Sequence, residues 1–192
     1  FQLGVEIFGK NNKLSDIEII KAMIEIILLS KQNKIIIELG DVSLINNFLN
    51  NLNFDKGQKN SLINLINLKS IDDIKDFCKT NNFNKKNMNF LLELLQLSGD
   101  KKVIDEIKKL TSFHKINFKR ELDDLSQIAD KINKYKKSIS VQIDLCELYG
   151  YEYQTSIIYT AYIPSFRKEI AKGGRYNAYK IDKNRSEEHT SE

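Results

Sequence analysis

At Ser138-Ile-Ser-Val-Gln-Ile-Asp-Leu145 the spacing of apolar residues changes from a helical period to a strict alternation. Alternation over eight residues predicts a β-strand with one buried face. Before it, from about residue 43 to residue 137, apolar residues recur every three or four positions, which predicts a block of helices. After it, residues 155–163 alternate again and predict a second strand. Residues 166–171 then predict a return strand, with Gly173-Gly174 closing the hairpin.

Similar patterns lie on the N-terminal side of the helical block. Residues 34–39, with three consecutive isoleucines, predict a short buried strand that ends at Gly40. Residues 15–28 predict a helix that starts with a capping box of Ser15 and Glu18. Residues 1–8 alternate and predict another strand. The order of strand, helix, strand, helical block and antiparallel strands predicts an α+β fold, an antiparallel sheet with a helical insertion.

Composition narrows the class of protein. The chain has 192 residues, of which 41% are apolar and 29% are charged, as expected for a folded domain. No window of 18 apolar residues occurs, so we expect no membrane span and no membrane partner. Lysines and acidic residues alternate along the helices at a net charge of +4, which argues against a nucleic-acid surface.

Cysteine and histidine usage gives two further expectations. The two cysteines, Cys78 and Cys146, are far apart in apolar surroundings, which predicts no disulfide framework and a reducing, cytoplasmic compartment. The two histidines, His114 and His189, are not spaced from the cysteines or from each other as metal ligands are, so neither a metal nor a cofactor is predicted.

Both ends of the sequence look incomplete. The first residue, Phe1, already belongs to the predicted strand, and residues 184–192 carry no apolar period. We therefore expect residues 1–183 to be part of a larger core, and residues 184–192 to be a non-native tail.

Polar groups on the predicted strands are the candidate site residues. Gln2 and Glu6 would lie on the same side of a strand, about 13 Å apart, where an amide and a carboxylate could hold a cationic ligand. A solvent-facing polar strand would show the same pattern. The segment Tyr149-Gly-Tyr-Glu-Tyr-Gln-Thr155 could wall a pocket for a planar ring, or form an aromatic bend. Gly173-Gly-Arg-Tyr176 offers flexible backbone and one of four arginines, but glycine pairs are also common in hairpin turns.

In this order, the three segments resemble histidyl-tRNA synthetases. Residues 1–9 resemble the end of class II synthetase motif 2, and residues 171–176 resemble the Gly-Gly-Arg-Tyr-Asp segment before motif 3. Residues 149–155 resemble the histidine-specific motif Arg-Gly-Leu-Asp-Tyr-Tyr-Thr. The resemblance covers residues 1 to about 180 and implies a class II synthetase-like catalytic core.

Two families share that core, the synthetases and the regulatory subunits of ATP phosphoribosyltransferase. The synthetase motif begins with an arginine that offsets charge on the reacting phosphate, and here Tyr149 stands in its place. The resemblance therefore implies a non-catalytic regulatory subunit. Such a subunit joins the short-form catalytic subunit in a hetero-oligomer and transmits histidine feedback in histidine biosynthesis. The alternative is a fragment of a divergent histidyl-tRNA synthetase.

The resemblance also implies a set of residues for a histidine-like ligand. These are Gln2, Glu6, Tyr149, Tyr151, Glu152, Tyr153, Gln154, Arg175 and Tyr176.

Overall fold

Seven helices and five strands make up the part of the chain that the computed structural model describes, residues 2–9, 12–31, 34–148, 153–166 and 168–177. The helices are α1 (Lys13–Leu28), α2 (Val42–Asn50), α3 (Lys56–Asn67), α4 (Ile71–Thr80), α5 (Lys85–Leu94), α6 (Val103–Phe113) and α7 (Lys119–Asn133). The strands are β1 (Ile35–Asp41), β2 (Ser98–Gly99), β3 (Ile139–Asp144), β4 (Gln154–Tyr162) and β5 (Glu169–Tyr176). Helices α2 to α7 lie where the periodicity predicts a helical block.

The strands form one sheet in the order β2-β3-β1-β4-β5. Strand β4 runs antiparallel to both β1 and β5, as predicted, but β1 and β3 are parallel, with Ile35 opposite Ile139 and Leu39 opposite Ile143. The predicted antiparallel sheet with a helical insertion is therefore a mixed sheet, because this one pair is parallel. The reason is the helical block, which returns the chain to the end of the sheet where β1 begins, as a parallel pair requires.

The core lies between the sheet and the helices α1 and α7. The inward side chains of β1 are completely buried, as are those of Ile20 and Ile24 on α1. Helix α7 presents Leu125, Ile128 and Ile132 to the same core. Apolar side chains from both ends of the sequence are therefore buried around β1. Their burial packs α1 together with the elements that follow the helical block.

Residues 2–8 do not form the predicted strand. They are irregular, and Leu3, Val5 and Phe8 are largely exposed. A strand needs a neighbour to complete its hydrogen-bond ladder, and the five-stranded sheet does not include this segment. Alternation along a chain therefore shows which face a strand would bury, but not that a partner strand is available.

Two local predictions also need correction. Helix α1 is capped by Asn12, whose Oδ1 accepts hydrogen bonds from the backbone N–H groups of Leu14 (3.0 Å) and Ser15 (3.1 Å), so Ser15 lies inside the first turn. Asparagine is as good an N-cap as serine, and Asn12, which comes first in the chain, caps the helix. Gly173 and Gly174 lie within β5 rather than in a turn. None of the helices in the described ranges is long and apolar enough to cross a membrane.

We expect Gly40→Ala to destabilise the fold. Gly40 lies on β1, and a Cβ atom there would be 2.7 Å from the backbone oxygen of Asp144 and 3.1 Å from Cγ1 of Ile158. Because backbone in a sheet cannot move aside, the unfolding free energy should fall by about 1–3 kcal/mol in urea denaturation. Gly4→Ala, with no heavy atom within 4 Å of the new Cβ, should change it by less than about 0.5 kcal/mol. Equal stabilities of the two variants would contradict the expectation.

Candidate functional site

A groove lies where the N-terminal segment, α1 and the β4–β5 pair meet. It consists of two adjoining cavities of about 570 Å³ and 650 Å³, both lined by Glu6, Tyr159, Gly174 and Tyr176. The larger cavity also has apolar walls from α1. A groove of this size fits a small-molecule ligand with an apolar part and a few polar groups.

The groove brings together residues that the sequence predicts as a site. Six of the nine predicted ligand residues line it, although they come from opposite ends of the chain. They are Gln2, Glu6, Tyr153, Gln154, Arg175 and Tyr176. The other three, Tyr149, Tyr151 and Glu152, lie outside the described residues. Ligand binding by these residues stays a prediction.

A partly buried ion pair, which the sequence does not reveal, lines the smaller cavity of the groove. The guanidinium of Arg175 on β5 donates through Nε to Oδ1 of Asp16 at 3.3 Å, and through Nη2 to Oδ2. Asp16 lies in the first turn of α1 and is 8% exposed. Burial raises the pKa of the Asp16 carboxyl, and the positive charge of Arg175 offsets part of that rise. The two residues are 159 positions apart, so no local spacing could reveal the pair.

The glycine pair of β5 allows two side chains to lie flat against the strand. A Cβ atom on Gly173 would be 2.6 Å from the hydroxyl oxygen of Tyr159, and one on Gly174 would be 2.8 Å from Nε2 of Gln154. Burial raises the pKa of the Tyr159 hydroxyl, and the negative charge of Asp16 adds to the rise. Gln154 is 7% exposed, and its Oε1 accepts no hydrogen bond from any described residue. The glycines are therefore required for close approach rather than for a turn.

The groups around the groove are suited to binding. Glu6 and the amides of Gln2 and Gln154 can accept hydrogen bonds from a cation, and Arg175, whose positive charge is paired with Asp16, lines the smaller cavity. Among the described residues, no histidine or cysteine lines either cavity, and no cluster of histidine, cysteine or acidic side chains is arranged to hold a metal ion.

Both cysteines and His114, the histidine within the described ranges, lie in the core. Cys78 and Cys146 are each 1% exposed and unpaired. Burial raises the pKa of the Cys78 thiol to about 11 and raises that of Cys146 even more. Such thiols are poor nucleophiles because the reactive thiolate is suppressed. His114, 6% exposed, packs edge-on against Phe90 and Phe113 in the helical block.

Comparison with known proteins gives the family. A model described as histidyl-tRNA synthetase matches residues 1–188. The chain belongs to the histidyl-tRNA synthetase family. Individual relatives of the chain carry names other than that of the family model.

Two curated relatives are named ATP phosphoribosyltransferase regulatory subunit. The protein from Teredinibacter turnerae is 34% identical over 176 residues, which cover 92% of this chain and 45% of the relative. The protein from Thioalkalivibrio sulfidiphilus is 29% identical over 176 residues, with the same two shares of coverage. The chain thus spans a little under half the length of these relatives.

Solved structures show the same fold. A Bacillus halodurans structure, described as an ATP phosphoribosyltransferase regulatory subunit/histidyl-tRNA synthetase, has a TM-score of 0.73 at 22% identity, covering 88% of this chain and 44% of that one. The ATP phosphoribosyl transferase (HisG:HisZ) complex from Thermotoga maritima gives 0.72 at 17%, with 88% and 58% covered. The predicted α+β, synthetase-like core is confirmed, with the mixed sheet described above.

A second polar cluster lies near the end of β3, beyond the groove. Glu38 on β1 points to the face of the sheet opposite Ile37 and Leu39 and is partly buried. Burial raises the pKa of its carboxyl to about 7, and the negative charges of Asp144 and Glu147 contribute to the rise. The sequence gives no hint of this perturbed group, because Glu38 lies in what looks like an ordinary buried strand.

We expect the pair of Asp16 and Arg175 to stabilise the groove. Arg175→Met leaves the carboxylate buried without its cation and should lower the unfolding free energy by about 3 kcal/mol. The double variant Asp16→Asn/Arg175→Met should recover part of that loss, because the buried charge is removed as well. Lys79→Met, which breaks an exposed pair with Asp76, should cost less than about 1 kcal/mol in the same urea titrations. A double variant less stable than Arg175→Met would count against a charge-pairing role.

We expect Glu38 to make stability fall with rising pH. Its pKa is about 7 in the folded state, against 4.5 for the free group, so its contribution is fully present below pH 4.5 and is lost as the pH rises through 7. Glu38→Gln should therefore raise the unfolding free energy by about 2 kcal/mol at pH 8 and leave it nearly unchanged near pH 4. The exposed variant Glu18→Gln should change it by less than about 0.5 kcal/mol at both pH values. The same gain for Glu38→Gln at both pH values would rule out this titration.

Proposed function

We propose that this chain is part of a regulatory subunit of ATP phosphoribosyltransferase. It would assemble with the short-form catalytic subunit in a hetero-oligomer, be required for its activity, and bind histidine as a feedback signal in histidine biosynthesis. The observation that carries the proposal is the set of relatives with that name, which match 92% of the chain at up to 34% identity.

The groove supports a ligand-binding role for the subunit. Glu6 and Gln2 can accept from an ammonium or imidazole N–H group, and histidine offers both. Arg175 lines the groove as well, with its guanidinium paired to Asp16. In the T. maritima complex, the related fold occurs together with a phosphoribosyl transferase, which favours the same kind of partner for this chain.

The proposed role is non-catalytic. By the resemblance, Tyr149 stands where the synthetase motif has an arginine, and a neutral phenol cannot offset charge that develops on a phosphate. Loss of one such cation typically costs about 10²–10³-fold in rate. Two free, buried cysteines suit a reducing compartment, so we place the subunit in the cytoplasm. We propose neither a nucleic-acid nor a membrane partner.

The second candidate function is histidine activation by a divergent histidyl-tRNA synthetase. The family model carries that name, and the B. halodurans structure carries both names. It would require another residue to replace the missing cation at Tyr149.

We expect the full-length parent protein to co-elute with a short-form catalytic subunit in size-exclusion chromatography and to raise its phosphoribosyltransferase activity. Histidine should inhibit the assembled enzyme. Glu6→Gln should raise the inhibitory concentration of histidine about tenfold, because one charge-assisted hydrogen bond is weakened, with no effect on assembly. The matched control is Glu18→Gln, an exposed change on α1, which should leave inhibition unchanged.

Two outcomes would contradict the proposal. One is the absence of both co-elution and stimulation. The other is histidine-dependent ATP–pyrophosphate exchange by the parent protein alone, which would favour the synthetase.

A further inference from the structure

Tyr159 lies at the junction of the two cavities of the groove, and it is not one of the ligand residues that the sequence predicts. It lines the smaller cavity together with Asp16 and Arg175, and the larger cavity together with Met23 and Ile27 of α1. The residue is only 7% exposed. A ligand that extends from one cavity into the other would therefore pass this side chain.

The sheet fixes the position of the Tyr159 side chain. Tyr159 is opposite Leu39 of the central strand β1 on one side and opposite Gly173 of β5 on the other. A Cβ atom on Gly173 would be only 2.6 Å from the hydroxyl oxygen, so the phenol ring occupies the space that a side chain would take there. Because strands flank it on both sides, the hydroxyl can meet a ligand with little loss of conformational freedom.

The Tyr159 hydroxyl is a hydrogen-bond donor that has no partner among the described residues. Burial raises its pKa, and the negative charge of Asp16 adds to the rise, while no hydrogen bond contributes. The group therefore stays protonated in neutral solution. Two other hydroxyls of the smaller cavity are engaged: Oγ of Ser15 donates to the N-cap side chain of α1 at 3.3 Å, and Oγ1 of Thr155 donates to a backbone oxygen of β5 at 3.3 Å. A buried hydroxyl without such a partner is uncommon and calls for a functional explanation.

The charges of the smaller cavity decide which part of a ligand it accepts. Glu6 and Asp16 both line it, and the guanidinium of Arg175 is paired with Asp16, so negative charge is in excess. These carboxylates accept hydrogen bonds and attract a cationic group of a ligand. A lone pair on the ligand needs a donor instead, and the Tyr159 hydroxyl is placed to be that donor.

The larger cavity favours a flat ring. Its walls include Met23 and Ile27 from α1 and the aromatic side chains of Tyr153 and Tyr176. Apolar and aromatic walls bury the faces of a ring, while a few polar groups at its edge fix the orientation. A ring that enters this cavity from the junction brings its edge to the Tyr159 hydroxyl.

We infer that Tyr159 is a ligand-binding residue of the groove, whose hydroxyl donates to a lone pair on the ring of a ligand with a cationic head. The head lies in the smaller cavity and the ring in the larger one. The ligand class is thus an amine that carries an aromatic nitrogen heterocycle. The inference rests on the proposed function only for the identity of the ligand as histidine, whose neutral ring has one such lone pair.

Calorimetric titration of the full-length parent protein with histidine tests the contact at pH 8, where the imidazole ring is neutral. Tyr159→Phe removes the hydroxyl and keeps every carbon atom. The Kd for histidine should rise about tenfold, since one hydrogen bond is worth roughly a factor of ten in affinity. The matched control is Tyr162→Phe, on the same strand but outside the lining of both cavities, which should leave the Kd unchanged. Equal Kd values for the two variants would overturn the inference.

A ligand analogue separates direct contact from a structural role of Tyr159. β-(2-Thienyl)alanine has a flat ring of similar size but no ring nitrogen, so its Kd should be the same for Tyr159→Phe and for the unsubstituted protein. If Tyr159→Phe loses affinity equally for histidine and for the analogue, the hydroxyl supports the groove in general and the inference is overturned.

A third measurement needs neither histidine binding nor a variant. The NMR resonance of the phenol Cζ carbon of Tyr159 in the parent protein should shift when imidazole is added at pH 8. It should not move with pyrrole, whose ring nitrogen has no available lone pair. If the protein binds no histidine but imidazole shifts this resonance, the proposed ligand is wrong and the assignment of Tyr159 stands. If imidazole leaves the resonance unchanged, the assignment of Tyr159 is wrong.

Discussion

Burial of β1 in the centre of the sheet is the constraint on which the other parts of the structure depend. Its inward side chains, Ile35, Ile37 and Leu39, are completely shielded from water, and its two edges pair with β3 and β4, neither of which is its neighbour in sequence. Because β3 is parallel to β1, the chain between them must return along the length of the sheet. The helical block is that return. The groove forms on the other side of β1, where β4 and β5 meet α1.

Much of this architecture could be predicted from the sequence, because period and composition report which face of an element is buried. The helical block and strands β3 and β4 follow from that signal. Strand pairing does not follow from it, because alternation cannot distinguish a parallel neighbour from an antiparallel one, as the parallel pair of β1 and β3 shows. Residues 2–8 show the same limit, since their alternation is strong and yet none of the five described strands pairs with them.

The candidate site likewise has residues that the sequence predicts and contacts that it does not. Six ligand residues could be named because they stand in short motifs that resemble those of a known family, and the structure brings them to one groove. Asp16 and Arg175 could not be paired from sequence, because a contact over 159 positions leaves no local pattern. The raised pKa of the Glu38 carboxyl could not be predicted from sequence either, because its environment comes from the ends of other strands. The spacing of residues in the sequence shows which side chains are local neighbours, whereas ion pairs and pKa shifts depend on tertiary contacts.

The two cysteines can report on local opening of two different parts of the structure. Cys78 lies in α4, within the helical block, and Cys146 lies two residues after the end of β3. Both thiols are buried and held protonated, so a thiolate-specific reagent can reach either one only when the structure around it opens. The ratio of the two labelling rates therefore measures whether the helical block and the sheet open together, as one cooperative unit, or separately.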